Sequence, residues 1–149
     1  MDAGTDDGMS FVVRQATDDD GTAIRLLVTE SLLLVGFDAP SIEADADLVE
    51  LSYYREPGRG MWVAEGDEQQ VVGCGAIDRG DGGFAILRRL AGAAMPELTA
   101  AAVAFAQGRG YAGVETVIPT SMAEARDAVR LEGFASDGAG NDLLFRKAL

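Results

Sequence analysis

Three strand-like segments follow one another between residues 61 and 90, and no other feature of this sequence limits the available folds as much. The segments are 61–65 (MWVAE), 71–78 (VVGCGAID) and about 83–90 (GFAILRRL). Both connections are short and rich in Gly and Asp, as in turns between antiparallel neighbours. The sequence therefore predicts an antiparallel meander at the centre of the fold.

Helical and extended patterns alternate on either side of this meander. Before it we predict a strand from Phe11 and helices at about 19–35 and 41–56. After it we predict a helix at about 96–107, a strand at 112–119, a helix at about 122–131 and short strands around 133–136 and 142–149. A meander followed by a strand–helix–strand crossover predicts an α/β fold, with a mixed sheet and helices on its faces.

The length of 149 residues fits one globular domain. Residues 1–10 (MDAGTDDGMS) are acidic where a secretory signal would be basic and then apolar. We therefore predict a disordered lead at 1–10, a single domain at 11–149 and a cytoplasmic location. No apolar run approaches the length of a membrane span.

The composition limits the chemistry that the chain can perform. The absence of histidine removes the commonest metal ligand and general base, so we expect no metal. The single cysteine, Cys74, lies between two glycines of a strand-like segment, where we expect a buried and unreactive thiol. The formal net charge of −13 disfavours nucleic-acid and membrane partners and favours cationic small molecules, although solubility alone also accounts for it.

Several stretches, in this order, resemble the GCN5-related N-acetyltransferase (GNAT) family. They are FVVRQATDDD at the start, MWVAEGDEQQVVGCGAI with Val72 and Gly73, ILRRLAG, AFAQGRGY, and EARDAVRLEGFASDG with Gly133 and Phe134. Each stretch is weak alone, but together they span the chain from Phe11 to Leu149. The chain is thus identified as a member of the family on the order and spacing of these stretches.

The resemblance implies transfer of an acetyl group from acetyl-CoA to an amine. The cofactor would lie between the fourth and fifth strands, with its pantetheine arm along the backbone of the fourth. Its pyrophosphate would sit on amides at the start of the third long helix, where an anion is favoured. The implied cofactor-binding residues are Leu90, Ala91, Gly92 and Ala93.

The sequence departs from the family pattern at three places. After the fourth strand the family runs through V-x-x-x-x-R/Q-G-x-G-x-G/A, whereas this chain has AGAAMPEL, shorter by about two helical turns' worth of chain. Gly92 is the one glycine left, and Pro96 lacks an amide proton. Ile86 stands where many members have a catalytic glutamate, and Val129 where many have a proton-donating tyrosine. These departures predict a degenerate pyrophosphate loop.

The remaining site candidates are carboxylates, aromatic residues and two arginines. Glu115 on the fifth strand is the best remaining carboxylate for a general base. Arg88 and Arg89 are consecutive strand residues, so we expect at most one of them to face the cleft, and a surface ion pair with the abundant acids is their favoured role. The resemblance places the acceptor pocket around residues 36–47, and the candidates for binding a cationic amine are Glu30, Phe37, Tyr53 and Tyr54. A solvated acidic helix with half-buried tyrosines is the alternative interpretation of these four residues.

Two classes of function remain open at this stage. The first is N-acetylation of a small-molecule amine by acetyl-CoA. The alternative is a degenerate member of the fold without acetyl-CoA activity. Such a protein could be a ligand-binding or protein-interaction module, for instance a homodimer, or a repurposed biosynthetic enzyme.

Overall fold

The predicted meander forms the middle of a seven-stranded mixed sheet in a computed structural model, which describes residues 10–36, 46–136 and 144–149. The strands are β1 (Val12–Gln15), β2 (Gly60–Glu65), β3 (Val71–Arg79), β4 (Phe84–Gly92), β5 (Gly113–Val117), β6 (Ala135–Ser136) and β7 (Leu144–Ala148). The helices are α1 (Gly21–Leu34), α2 (Ala46–Val49), α3 (Met95–Gly108) and α4 (Ala123–Leu131). The single mixed α/β domain predicted from the sequence is confirmed. The lead predicted at 1–10 lies, except for Ser10, outside the described residues.

The strand order is β1-β2-β3-β4-β5-β7-β6. All neighbouring strands are antiparallel except β4 and β5, which are parallel and joined by α3. A parallel pair needs a crossover connection, and α3 supplies it. The sequence predicts this helix from the helical periodicity of residues 96–107. The pair β4–β5 is therefore the one place where the sheet changes from meander to crossover.

The helices cover both faces of the sheet with two apolar clusters. One cluster joins α1, α2 and the 3₁₀ segment Leu51–Arg55 to β2 and β3, and includes Ile24, Leu48 and Val63. The other joins α3 and α4 to the opposite face, and includes Leu98 and Phe145. Trp62 and Ile77 are buried in this second cluster. Burial on both faces explains why the central strands are almost continuously apolar.

The helix predicted at about 41–56 is interrupted in the part that the structure describes. Glu50 is extended, with φ −120° and ψ 96°, and it separates α2 from the 3₁₀ segment. The tighter 3₁₀ spacing places residues three apart on the same side, so Leu51 and Tyr54 are both buried against the sheet. The prediction of one continuous helix is therefore wrong for the described residues. Residues 40–45 lie outside the described part.

A β-bulge interrupts β4. Cys74 pairs with Ala91, but Ala76 pairs with Arg88, so Arg89 and Leu90 both stand opposite one residue of β3. Arg89 has φ +61°, a left-handed conformation that is uncommon for a residue with a Cβ atom. The bulge therefore changes the direction of β4 just before its end.

Within the described residues, no helix is both long enough and apolar enough to cross a membrane.

Candidate functional site

The strands β4 and β5 separate beyond a short ladder. Their pairing covers Phe84–Ile86 and Gly113–Glu115 and goes no further within the described residues. The carbonyl of Leu87 accepts a hydrogen bond from the Thr116 hydroxyl at 2.7 Å, after which the strands diverge. A strand that loses its neighbour presents unpaired backbone groups along one edge.

A cavity of about 180 Å³ fills the space between the diverging strands. Helix α1 contributes one wall, β4 and β5 the sides, and the segment leading into α4 the other wall. The lining residues are Val28, Ser31, Leu32, Arg88, Arg89, Leu90, Ala91, Thr116, Val117, Ile118, Pro119, Met122 and Ala125. The predicted cofactor residues Leu90 and Ala91 therefore line this cavity.

Both Arg88 and Arg89 reach the same carboxylate, Asp47 of α2. Arg89 donates from Nε to Oδ2 at 2.9 Å and from Nη2 to Oδ1 at 2.7 Å, while Arg88 Nη2 lies 3.8 Å from Oδ1. The expectation that strand alternation separates the two side chains is wrong, because the bulge and the positive φ of Arg89 break the alternation. Ion pairs with acids are present as expected, but their aspartates are buried, so the prediction that the pairs lie at the surface is wrong.

Asp47 is a buried carboxylate, 7% exposed, whose charge is compensated on several sides. Burial alone would raise its pKa, but hydrogen bonds from Arg89 and Tyr54 outweigh burial and lower the pKa. The Tyr54 hydroxyl donates to Asp47 Oδ2 at 2.5 Å, and burial together with this bond raises the pKa of Tyr54. Asp47 is therefore an anion that ties α2 and Tyr54 to β4.

A second buried carboxylate, Asp78, lies at the end of β3. It accepts hydrogen bonds from the Tyr53 hydroxyl at 2.6 Å, Arg59 Nε at 2.7 Å and Arg88 Nη1 at 3.1 Å. Burial raises its pKa, and these hydrogen bonds lower it by more, so the net shift is downward. The hydrogen bond to Asp78 in turn raises the pKa of Tyr53. Arg88 thus bridges the two buried aspartates.

A groove of about 470 Å³ runs beside this cluster, over α2 and the 3₁₀ segment. It is lined by Ala46, Asp47, Glu50, Ser52, Tyr53, Glu56 and Arg88. Arg88 also lines the cavity between β4 and β5, so the groove and the cavity meet at its side chain. The Arg59 guanidinium lies over the Tyr53 ring, 4.0 Å from its centre. The rings of Tyr53 and Tyr54 pack edge to face.

The junction between β4 and α3 has two residues, Ala93 and Ala94. The Ala93 amide donates to the Val72 carbonyl at 2.8 Å, and Ala94 has φ +62°. Among the described residues no acceptor meets the amides of Ala94, Met95 and Glu97, which precede the first intrahelical bond, from Leu98 to Ala94. An anion at this end of α3 would therefore find up to three amides.

Carboxylates surround the same helix end. A depression of about 270 Å³ beside the junction is lined by Glu124 and Asp127 of α4, together with Gly92 and Ala93. Gly92, where the sequence suggested a remnant of a loop, is the last residue of β4 and pairs with Gly73. A Cβ atom on Gly92 would lie 2.3 Å from the Val72 carbonyl oxygen, so contact with β3 requires glycine here.

Glu115 and Ile86 belong to one cross-strand row. Asp78, Ile86 and Glu115 are direct neighbours across β3, β4 and β5, so their side chains share the face covered by α1 and α2. Glu115 Oε2 lies 3.1 Å from Arg146 Nε, and its side chain is 26% exposed. It precedes the lining residue Val117 by two positions on the same face, a separation of roughly 7 Å. Glu115 is therefore close to the cavity but not in its wall.

The other predicted site residues fall at separate places. Glu30 is exposed on α1 and lines a shallow depression near Met95. Phe37 lies outside the described residues. Val129 is fully buried between α4 and the sheet, and Cys74 is also fully buried. The predicted burial of Cys74 is confirmed, and because burial raises the pKa of its thiol to about 12, its low reactivity stays a prediction with a physical cause.

Asp47, Asp78 and Arg59 were not singled out from the sequence. At Asp78 the available signal was a charged residue directly after the apolar stretch VVGCGAI, whereas Asp47 lies in the acidic sequence EADAD and carried no such signal. That signal indicates a buried, paired charge but does not identify its partner. Among the described residues, no group of three or more acidic or thiol side chains is placed to hold a metal ion.

Comparisons with known proteins agree on the architecture. The chain superposes on a GNAT-family acetyltransferase from Staphylococcus aureus Mu50 with a TM-score of 0.79 and 11% identity, over 94% of this chain and 99% of the other. A phosphinothricin acetyltransferase from Sinorhizobium meliloti, in complex with acetyl-CoA, gives a TM-score of 0.76 and 18% identity, over 93% and 88%. A ribosomal-protein-alanine N-acetyltransferase from Brucella melitensis gives a TM-score of 0.71 and 21% identity, over 93% and 99%. No family model and no curated protein matches the sequence itself.

Proposed function

Because this chain has the fold of the GNAT acetyltransferases, we propose that it is an acyltransferase that moves an acetyl group from acetyl-CoA to the amine of a small molecule. The observation that carries the proposal is the cavity between β4 and β5. It lies at the one parallel pair of the sheet, where an unpaired strand edge and an apolar wall face each other. Ligands of open α/β sheets favour such a switch in topology.

The residues around the cavity fit the thioester end of acetyl-CoA. The free edge of β4 at Leu90 and Ala91 offers backbone donors and acceptors to the amides of a pantetheine arm. Val28, Leu32 and Met122 offer an apolar surface for the acetyl group and keep water from the thioester. Bound acetyl-CoA would supply an acetyl group activated as a thioester.

The residues at the start of α3 fit the pyrophosphate less well. An arm that follows β4 towards its carboxyl end reaches the Ala94, Met95 and Glu97 amides, which favour an anion. Glu124 and Asp127 line the same depression and oppose it. We therefore expect acetyl-CoA to be held mainly through its pantetheine arm and acetyl group.

The acceptor amine would approach through the groove that meets the cavity at Arg88. We propose a cationic amine, for which Glu50 and Glu56 along this groove supply the opposite charge. Glu115 would take the proton that the attacking amine loses, through an intervening water, since it stands one strand away from Ile86 on the same face. The sequence, with its single and buried thiol, supports our proposal of a cytoplasmic location.

The decisive experiment measures acetyl-CoA binding and turnover together. Calorimetric titration and a thermal shift report binding, which raises the unfolding temperature by mass action. Turnover is followed as CoA thiol release with a panel of mono- and polyamines, and the buried Cys74 keeps the background of the thiol reagent low. Thiol release that depends on an amine supports the proposal.

No binding heat and no shift at millimolar acetyl-CoA would refute it. That result would favour the alternative, a GNAT-fold protein without acetyl-CoA activity that binds another ligand or a protein partner. Binding without turnover on any amine would retain the cofactor site and exclude the proposed reaction for that panel.

A further inference from the structure

Arg89 of β4, Asp47 of α2 and Tyr54 of the 3₁₀ segment meet at the β4 bulge. Arg89 takes a left-handed conformation, with φ +61°, that costs free energy for any residue with a Cβ atom. Glycine would adopt this conformation without that cost. Something other than local preference must therefore hold the backbone of Arg89 in place.

Asp47 supplies a contact that fits this requirement. It binds the Arg89 guanidinium through two parallel hydrogen bonds, of 2.7 and 2.9 Å, a geometry that fixes direction as well as distance. The Arg89 side chain is only 11% exposed and that of Asp47 6%, so solvent screens the pair little. Tyr54 donates a third hydrogen bond, to Asp47 Oδ2, which helps to hold the carboxylate in place.

The bulge also forms one wall of the cavity. Arg88, Arg89, Leu90 and Ala91 all line it, and the Arg89 carbonyl accepts a hydrogen bond from the Cys74 thiol at 3.2 Å. A shift of Arg89 therefore moves the wall that faces the thioester and disturbs Cys74. In reactions between bound groups, displacements of about 1 Å can cost roughly 100-fold in rate.

We propose that Asp47 is a positioning residue for acyl transfer. It clamps the left-handed Arg89, and with it the β4 bulge, into the shape that the thioester requires. This inference rests on the proposed acyltransferase function. Asp47 acts through Arg89.

The chain contains a matched control for the clamp. Asp20 is likewise buried, 5% exposed, and binds Arg14 through two hydrogen bonds of 2.8 and 2.9 Å. That pair lies at β1, on the edge of the sheet and three strands from β4. Asp20→Asn therefore breaks a pair of the same kind without touching the cavity wall.

The first test compares kcat and KM for acetyl-CoA in Asp47→Asn and Asp20→Asn. We expect kcat/KM to fall 10- to 100-fold in Asp47→Asn and to stay within twofold in Asp20→Asn, at similar losses of thermal stability. Alkylation of Cys74 should also become faster in Asp47→Asn than in Asp20→Asn, because its thiol contacts the bulge directly. Equal kcat/KM in the two variants would overturn the clamp and leave the acyltransferase proposal standing.

The second test compares Arg89→Gly with Arg89→Ala, and it decides the question if Asp47→Asn does not fold. Both variants remove the same guanidinium, but only glycine accepts the left-handed backbone without strain. We expect kcat/KM of Arg89→Gly to exceed that of Arg89→Ala about fivefold or more. Equal activity, or a more active alanine variant, would contradict the proposal. A wild-type protein that turns over no amine would refute the acyltransferase function and this assignment with it.

Discussion

At the scale of single residues, the site differs by a displacement of charge from the pattern of the GNAT family, which the sequence resembles. Ile86 occupies the middle of a cross-strand row whose two neighbours are carboxylates, Asp78 on β3 and Glu115 on β5. Asp78 is buried and already bonded to Tyr53, Arg59 and Arg88, whereas Glu115 contacts Arg146 at the rim. Of the two, Glu115 has solvent access, and it is the one that we propose as the proton acceptor.

Replacing Glu115 by glutamine should lower kcat roughly 100-fold and leave KM for acetyl-CoA unchanged, because general-base assistance is typically worth 10²–10⁴ in rate. Steady-state kinetics on wild type and Glu115→Gln measure this effect. Glu68→Gln, in the exposed turn between β2 and β3, is the control for loss of one negative charge. A kcat within twofold of wild type in Glu115→Gln would remove Glu115 from the mechanism.

The buried aspartates should make the fold sensitive to acid. The pKa values of Asp47 and Asp78 are both lowered in the folded protein. A lowered carboxyl pKa adds stability above the unfolded value, near 3.8, and that stability is lost as the pH falls through the folded value. Urea unfolding should thus show a steeper loss of stability from about pH 4 downward in wild type than in Asp78→Asn. Parallel curves for the two proteins would show that Asp78 does not titrate with folding.

At the scale of elements, the sequence predicts what depends on local pattern. The meander, α1, α3 and α4 follow from apolar periodicity and turn residues, and the structure has them within a few residues of the predicted bounds. The interruption at Glu50 and the bulge at Arg89 carry no such local signal. The ion pair of Asp47 with Arg89 at the bulge joins residues 42 positions apart in the sequence, and local pattern cannot reveal such a contact.

The cavity between β4 and β5 and the start of α3 differ in the same way in what the sequence can predict. The family resemblance implied Leu90 and Ala91 as cofactor residues, and both line the cavity where β4 and β5 separate. The carboxylates of Glu124 and Asp127 come from α4, some 30 residues later in the chain, and only the packing of α4 against the β4–α3 junction brings them there. A degenerate pyrophosphate loop, suggested by the short segment before Pro96, stays a prediction.

Removing the charge of α4 near this junction tests that prediction. We expect the double variant Glu124→Gln/Asp127→Asn to bind acetyl-CoA two- to fivefold more tightly at low salt, since two anions then no longer oppose the pyrophosphate. Calorimetric titration measures the change, with Glu68→Gln/Glu132→Gln, which removes two charges outside this depression, as the control for net charge. Unchanged or weaker binding would mean that the pyrophosphate lies elsewhere.

At the scale of the whole molecule, the formal net charge of −13 acts on every charged ligand. Such a field repels an anion and attracts a cation, and added salt weakens both effects. The proposed donor and acceptor therefore experience opposite long-range forces. The field favours the amine and opposes the phosphates of acetyl-CoA.

The affinity for acetyl-CoA should therefore rise with salt, which is the reverse of the usual behaviour of a phosphate site built from basic residues. We expect Kd to fall two- to fivefold between about 20 and 200 mM NaCl, measured by calorimetric titration. Acetyl-pantetheine, which carries the same thioester arm without phosphates, is the matched probe, and its Kd should change little over that range. If acetyl-CoA binding weakens with salt while acetyl-pantetheine binding stays constant, positive groups such as Arg88 and Arg89 dominate the local potential. The charge of the whole molecule would then have no part in selecting the donor.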